Sequence, residues 1–529
     1  MKKKILIITL ALLCSVSLWA GIDTILSVKT YFAGNNIPSS GLFYNDAEGK
    51  KFYDWNNVED PDFWNNLDND WWMKRQDYWL EAYEKTSFLD LGFEARLGNF
   101  LLVTRMDIMQ DVLVNLRDPA SLSTNLPFIG NLIDLSLPRL GFVEWKSEGG
   151  NFFISLGRRL IKWGPGTYDL TISDSQPYLD NIWTEFNLPL INDWNFDFNY
   201  IIISPKMWMD YPTKTTIPNT DPVKYEYINH DVQKTIFAHK WSFYNNNFRI
   251  TIAELNNIYG KDPNFLDASP LIIWHDSNQD SYSNVFLHLI LEGKVGPVRA
   301  FGGFAMDDFD LPHETGSAKP MAMGFSAGVE YHVFDGEGIG DARFDRRDYT
   351  LKEDTFKVEN GLNVGAEWYY ASPLMYNRNT DFNGAGKFTI PFQFVSLVGD
   401  GYVYYNDAYY LGFKYGPDSN LIRLYAEYTD APFEASLYVE YLTRGQYGIE
   451  SKYGDRSAID SHMSSLLALA GDKTSVLIID ADFGYYLQEA FKVNACLQWQ
   501  QDITHSKSAY KITLGASINP LDVDWKNLF

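Results

Sequence analysis

The feature that most restricts this chain is a period of two that returns along much of its 529 residues. In residues 89–98, Leu89, Leu91, Phe93, Ala95 and Leu97 alternate with Asp90, Gly92, Glu94, Arg96 and Gly98. In 325–333, Phe325, Ala327, Val329, Tyr331 and Val333 alternate with Ser326, Gly328, Glu330 and His332. Residues 510–518 repeat the pattern, and 285–295, 362–370, 421–429 and 477–487 follow it with occasional apolar exceptions. Successive side chains of a strand point to opposite faces, so each segment has one apolar and one polar side. A soluble antiparallel sheet and a membrane barrel both produce this, and three features favour the barrel. The runs are about nine to eleven residues, the length a tilted strand needs to cross a bilayer. Their polar faces carry Glu, Arg, Lys and His mid-strand, which a wet lumen permits. Aromatics such as Trp368-Tyr369-Tyr370 and Tyr402, Tyr404 and Tyr405 collect at strand ends, as interfacial girdles require. The expected fold is all-β: a transmembrane antiparallel β-barrel with long outer loops and short periplasmic turns. Candidate strands number about 19, and because single-chain bacterial barrels have even counts, 18 is expected.

Composition removes the competing classes. With 46% hydrophobic and 16% aromatic residues the chain is not disordered. A net charge of −24 without a basic stripe argues against nucleic acid as a partner. Two cysteines make neither a disulfide framework nor a Cys-rich zinc site. The N-terminus, with Lys2, Lys3 and Lys4 before an apolar stretch and Ala20-Gly21 at its end, reads as a secretory signal peptide over 1–20. Cys14 follows Leu13, too large for a lipoprotein site, and removal of the signal leaves Cys496 alone. The remaining 21–529 reads as one outer-membrane barrel domain of a diderm bacterium, with outer-membrane lipid and the barrel-assembly machinery as partners. The terminal Phe529 resembles the assembly signal of such barrels.

Short turns near 98–99, 148–151, 190–193, 245–247 and 296–297 alternate with long connections near 111–138, 161–181, 205–233, 257–283 and 307–320. The long set is expected outside. This alternation fails over 334–475. Residues 33–85, with Trp55, Trp64, Trp71, Trp72 and Trp79, read as a Trp-rich loop, plug or helical insertion, with a short helix near 73–85. Residues 463–470 also look helical.

Catalytic patterns are weak, and the chain is expected not to be an enzyme. Gly324-Phe325-Ser326-Ala327-Gly328 fits the nucleophile elbow in letters, but Ser326 lies inside an alternating strand instead of a strand-to-helix turn. His288 or His332 could serve Ser326 as a base, without any spacing that selects it. Asp276-Ser277-Asn278-Gln279-Asp280-Ser281 begins like a calcium loop but lacks its Gly and its bidentate Glu. No cofactor is expected beyond a loosely bound divalent cation such as calcium.

The most unusual segment is Arg158-Arg159-Leu160-Ile161-Lys162-Trp163-Gly164-Pro165-Gly166, continuing to Leu170, Ser173, Asp174 and Pro177. Two readings are open. It presents an indole and cations at the mouth, where aromatic faces stack on sugars and Arg or Asp bond hydroxyls, or it folds inward as a rigid constriction. With Ala238-His239-Lys240, Ala253-Glu254, Ile258-Tyr259-Gly260, Ser269-Pro270, Met306-Asp307-Asp308-Phe309, Lys319-Pro320, 328–331, Leu411-Gly412-Phe413 and Gly416-Pro417-Asp418-Ser419, this segment resembles the capsule-assembly Wzi-like outer-membrane proteins. The resemblance spans roughly residues 150–445 and leaves the first 130 and last 80 residues unmatched. It implies an 18-stranded outer-membrane barrel acting as a lectin that holds capsular polysaccharide at the surface. The candidate glycan-binding residues are Arg158, Arg159, Lys162, Trp163, Gly164, Pro165, Gly166, Ser173, Asp174, Tyr259, Asp307 and Asp308. A porin-like channel for small solutes is the alternative.

Overall fold

Apolar side chains face outward here and many charged ones are buried, the reverse of a soluble sheet. Leu514 is 60% exposed and Ile512 47%, whereas Asp90 and Glu94 are 1% exposed. The computed structural model describes residues 22–36, 87–109, 122–125, 139–205, 234–274, 282–308, 322–338, 349–352, 355–377, 386–398, 401–448, 467–488 and 490–520. At 35, 308, 391–398, 401–408 and 488 it describes the backbone alone.

The wall opens with β1 (Ile22–Asn35), β2 (Leu89–Leu97) and β3 (Phe100–Ile108). The short β4 (Leu122–Thr124) pairs with β1 beyond the point where β2 stops. Asn125 bridges that join, accepting from Tyr31 N and donating to the Lys29 carbonyl. β5 (Leu140–Lys146) and β6 (Phe152–Arg159) follow, and then the chain leaves the wall through β7 (Ile161–Lys162). It rejoins as β8 (Leu179–Pro189), β9 (Asn195–Ile203), β10 (Lys234–Tyr244) and β11 (Phe248–Tyr259). Next come β12 (Ser283–Val295), β13 (Val298–Asp308) and β14 (Ala322–Phe334). β15 (Leu351–Lys352) lies off the wall, pairing in parallel with β7, and β16 (Gly361–Ala371) returns to it. Among the described residues, β17 (Thr389–Val398) and β18 (Gly401–Tyr410) pair only with each other. β19 (Ser419–Asp430), β20 (Phe433–Arg444), β21 (Thr474–Gln488), β22 (Phe491–Asp502) and β23 (Lys507–Ile518) complete the circuit. Leaving out β4, β7, β15, β17 and β18, eighteen antiparallel strands form the wall, and β1 closes it by pairing with both β2 and β23. A closed ring gives each wall strand two neighbours for its backbone groups, which hydrocarbon demands.

The expected count of 18 therefore holds. Tyr402, Tyr404 and Tyr405 lie on β18, in the hairpin and not in the wall, so they form no part of an interfacial girdle. Of the other expected girdle set, Trp368 is on the lipid side and donates to Asn420, but Tyr369 faces the lumen and Tyr370 is covered, its hydroxyl donating to the Ala468 carbonyl. The failure of alternating connections has a cause too. At the tight-turn end, 335–360 is long because part of it packs inside the barrel. At the long-loop end, 503–506 is short. Residues 467–470, expected to be helical, are not. Residues 1–21, 37–86, 275–281 and 521–529 carry the signal, Trp-rich segment, calcium-like loop and terminal aromatic, and lie outside the described residues.

The outward face makes a direct prediction. Leu514→Arg places a cation on the lipid side of β23 and should cost about 2–4 kcal/mol near mid-membrane. Thr513→Arg, one residue away but facing the lumen, should cost much less. Urea titration of both variants folded into liposomes checks this.

Candidate functional site

Residues 160–178 do not stand at the mouth; they turn into the barrel. Trp163 is 1% exposed and packs edge-on against Trp183 of β8, ring centroids 6.4 Å apart, with Lys240 Nζ 5.4 Å from its ring. Its backbone N donates to the Ile172 carbonyl, closing 163–172 into a hairpin-like excursion. The Pro165 carbonyl accepts from Arg299 Nη1 at 2.9 Å. Arg299 is the second residue of β13, just after the tight turn at 296–297, so the tip has crossed most of the lumen. The two glycines explain how it fits. Gly164 has φ +75°, and a Cβ there would lie 2.2 Å from Asp169 Oδ2. A Cβ on Gly166 would lie 2.3 Å from the Tyr369 hydroxyl. Only a residue without a side chain passes so close to its neighbours.

Other segments meet this excursion. Ile161, Trp163, Leu170 and Ile172 join Leu351, Tyr376, Phe388, Leu411 and Phe413 in one buried cluster with the wall residues Ile201, Leu255 and Tyr369. Ser173 holds the return limb: its N donates to the Leu411 carbonyl and its Oγ to the Gly412 carbonyl. Tyr376 donates to the Leu170 carbonyl at 2.7 Å, and its backbone N donates to Asp307 Oδ2 at 2.7 Å. Asp418 accepts from Ala470 N and Tyr447 N, and burial still raises its carboxyl above the usual range.

Charged residues fasten this plug to the wall. Arg299 pairs with Glu330 at 3.2 Å and Glu292 at 3.3 Å. Arg423 binds Glu440 and lies 3.9 Å from Glu367. Lys357 pairs with Glu427 at 2.5 Å. These five carboxylates outnumber the three cations, and neutral donors fill the shortfall. Thr167 N donates to Glu367, Phe356 N to Glu292, Tyr425 to Glu330, and both Tyr168 and Tyr415 to Glu440. Burial, reinforced by the Glu440 carboxylate, keeps the Tyr168 and Tyr415 phenols protonated, so both remain donors. The mid-strand charges that suggested a wet lumen thus lie buried and paired in this sector, because the plug has replaced water.

The candidate residues are therefore distributed, not gathered. Arg158 and Arg159 point to opposite faces, as neighbours on a strand must. Arg158 is on the exterior, bidentate with Asp180 at 2.7 and 2.9 Å and 4.0 Å over the Tyr178 ring. Arg159 points in, bonded to Glu144 at 2.8 Å and to the Tyr349 carbonyl at 2.7 Å. Lys162 is half-buried, and burial lowers its pKa, with Asp174 opposing the shift. Tyr259 and Asp307 sit at the outer ends of β11 and β13 as expected, but both are buried. Asp308 lies beside a register shift in β13, with its side chain outside the described residues. A glycan outside cannot stack on a sealed Trp163 or bond a Ser173 hydroxyl already committed to a carbonyl. In this structure Trp163 and Ser173 hold the plug, which is the inward reading of the segment. Of the candidate residues Arg158, Lys162, Pro165 and Asp174 keep partial exposure.

Two other chemical possibilities can be placed. Ser326 stays in ladder register between Gly303 and Tyr369, so no elbow forms. His288 Nε2 and Ser326 Oγ both crowd Gly303, where a Cβ would lie 2.7 and 2.4 Å from them, but the imidazole is buried with Asp169 Oδ2 3.9 Å from its Nδ1. Among the described residues, Asp480, Asp482 and Cys496 bring three donor atoms within 4.8 Å of one another on the lumen side of β21 and β22. Sequence reasoning missed Arg299, Arg423 and their acids as a fastening set. Their signal was present as charges at mid-strand on the polar face, but which acid met which cation depended on strand neighbours.

Arg299→Ala would strand Glu292, Glu330 and the Pro165 carbonyl together. It should lower stability by about 3–5 kcal/mol, as removal of one partner of a buried pair does. Denaturant unfolding in detergent micelles, followed by Trp fluorescence, measures it.

No protein-family model and no curated protein matches the chain. Solved structures do. One is Wzi of Escherichia coli, described as an outer membrane protein involved in group 1 capsule assembly and a carbohydrate-binding β-barrel. It is 13% identical, covers 93% of this chain and 84% of its own, and has a TM-score of 0.48. Another is the Pseudomonas aeruginosa Occ porin OccD3, 7% identical over 94% of this chain and 91% of that one, with a TM-score of 0.41. A loop-deleted OmpT, an outer membrane protein of Vibrio cholerae, is 8% identical over 94% and 99%, with a TM-score of 0.32. The chain is a closed 18-strand antiparallel β-barrel with an apolar exterior, a fold of the kind these outer-membrane proteins have.

Proposed function

We propose that this chain is a non-enzymatic outer-membrane protein that binds or anchors surface polysaccharide on its extracellular side. The observation that carries this reading is the packed core inside the barrel, built by 160–178, 351–352, 372–377, 386–390 and 409–415 against wall strands from β8 to β21. A bore filled by paired charges and aromatic contacts is a support for outer loops more than a path for solutes. The motifs shared with Wzi-like proteins imply the same ligand class. We assign the contact surface to the β17–β18 hairpin, which leaves the core at Phe388 and returns at Leu411. Its register places Phe394 opposite Tyr405, Gln393 opposite Asn406 and Phe392 opposite Asp407. The residue types along this hairpin, aromatics with amides and a carboxylate, are those that suit sugar C–H patches and hydroxyls.

Binding of the host's own surface polysaccharide to the purified protein, by calorimetry, should be lost when 391–408 is replaced by a short Gly-Ser turn, with heat-modifiable migration unchanged. Equal binding by that variant, or no binding by the intact protein, overturns the reading. Because the chain carries a net charge of −24, attraction of an acidic glycan should require bridging divalent cations and vanish with chelator. Chelator-insensitive binding of an acidic polymer counts against this. Ser326→Ala should alter nothing in either assay.

The channel alternative has one observation in its favour. Across from the plug, Asp480, Asp482 and Lys511 face the lumen and are half-buried or exposed among the described residues. Planar-bilayer recordings decide between the two. A filled bore should give little conductance, and discrete open steps would favour the channel.

A further inference from the structure

The outside of the barrel carries a polar patch where lipid is expected. Strand register puts Tyr200, His239, Glu254 and Leu287 in one exterior row of β9–β12, with Ile202, Phe237, Asn256 and Val285 in the row nearer the outer rim. The row nearer the tight turns is Phe198, Trp241, Ile252 and Leu289, an apolar band in which Ile252 and Leu289 are each 39% exposed. His239 and Glu254 are hydrogen-bonded at 3.1 Å and almost fully buried, and Ser283 donates to Asn256 beside them. An ionisable pair facing hydrocarbon is costly, so something must cover it.

The cover is the β11–β12 connection, residues 260–274, folded back over the exterior wall. Trp274 stacks on His239, ring centroids 4.1 Å apart at 15°, and its backbone N donates to Glu254 Oε2 at 3.0 Å. Tyr200 donates to the Ala268 carbonyl and Asn256 to the Asp267 carbonyl. Ala268 and Ile272 pack against Phe237, Ile258 and Val285. Inside the loop, Asp267 accepts from Asn264 N and pairs with Lys261 at 3.1 Å. Asp267, Lys261 and the 267 and 268 carbonyls thus turn toward the wall or each other. Facing away are four large apolar side chains, Phe265 at 86% exposed, Leu271 at 78%, Leu266 at 63% and Ile273 at 58%, with Asp262 and Asn264 exposed beside them.

We propose that residues 260–274 form a lateral clasp that lies in the outer leaflet and inserts Phe265, Leu266, Leu271 and Ile273 among its acyl chains. Continuity selects this occupant. The clasp rests directly against the apolar lipid-facing band, at a row five residues along β10 from Lys234, about 16 Å at strand rise. An aqueous loop would have turned these four inward; a loop in hydrocarbon has the opposite preference. The clasp seals His239 and Glu254 from lipid and widens the greasy belt on one side of the barrel.

Spin labels at Phe265→Cys and Leu271→Cys, in a Cys14→Ser, Cys496→Ser background, test this in phosphatidylcholine–phosphatidylglycerol liposomes. Ile252→Cys on the wall and His505→Cys on the short outer turn serve as references, and heat-modifiable migration confirms folding. Both clasp labels should collide with oxygen in preference to a nickel chelate, as at Ile252 and opposite to His505. Preference for nickel would put the loop in water and overturn the proposal. Exclusion of both relaxants, with spin–spin broadening between copies, would make the surface a protein interface and overturn it equally.

Discussion

Hydrocarbon offers no hydrogen bonds, and that single deficiency organises the molecule. Every backbone group of the wall must find its partner in a neighbouring strand, so the sheet has to close, and β1 does so by pairing with β23. Closure in turn creates two environments from one strand. The outward side chains are selected for lipid, which leaves the inward ones polar by default. Leu89, Leu91 and Phe93 go one way and Asp90 and Glu94 the other.

An interior lined with charges must be filled with water or with partners. Here much of it is filled with the chain's own loops, and their entry determines the electrostatics. Arg299 and Arg423 each stand between two carboxylates contributed by adjacent strands, and the surplus acid is satisfied by Tyr168, Tyr415 and Tyr425. Removing either arginine would unbalance several buried acids at once. The packed core and this charge network are therefore one device. Apolar contacts hold the plug's depth, and charged ones fix its orientation.

Much of the fold was legible because a period of two is a local property. Strand positions and the alternation of short and long connections in the first half followed from periodicity and spacing. Alternation gave about 19 strands, and the even 18 came from the rule for closed bacterial barrels. The Arg158-Arg159 split was legible too, since neighbours on a strand face apart, although their sequence proximity suggests a shared site. The β17–β18 hairpin was harder. Its aromatics sit as densely as those of a wall strand, and only pairing distinguishes it. The fate of Trp163 was not legible, because an indole suits a sugar platform and a buried plug equally.

The sequence by itself determined which residues of each strand share a face, and so determined a barrel bounded by lipid. Only the tertiary structure decided what meets those faces. Trp-Gly-Pro-Gly went inward because Gly164 and Gly166 admit Asp169 and Tyr369 at distances no side chain allows. The His239–Glu254 row became a sealed exterior patch because 260–274 folded over it. Periodicity fixes a side chain's direction relative to its own strand, whereas burial depends on which distant segment arrives there.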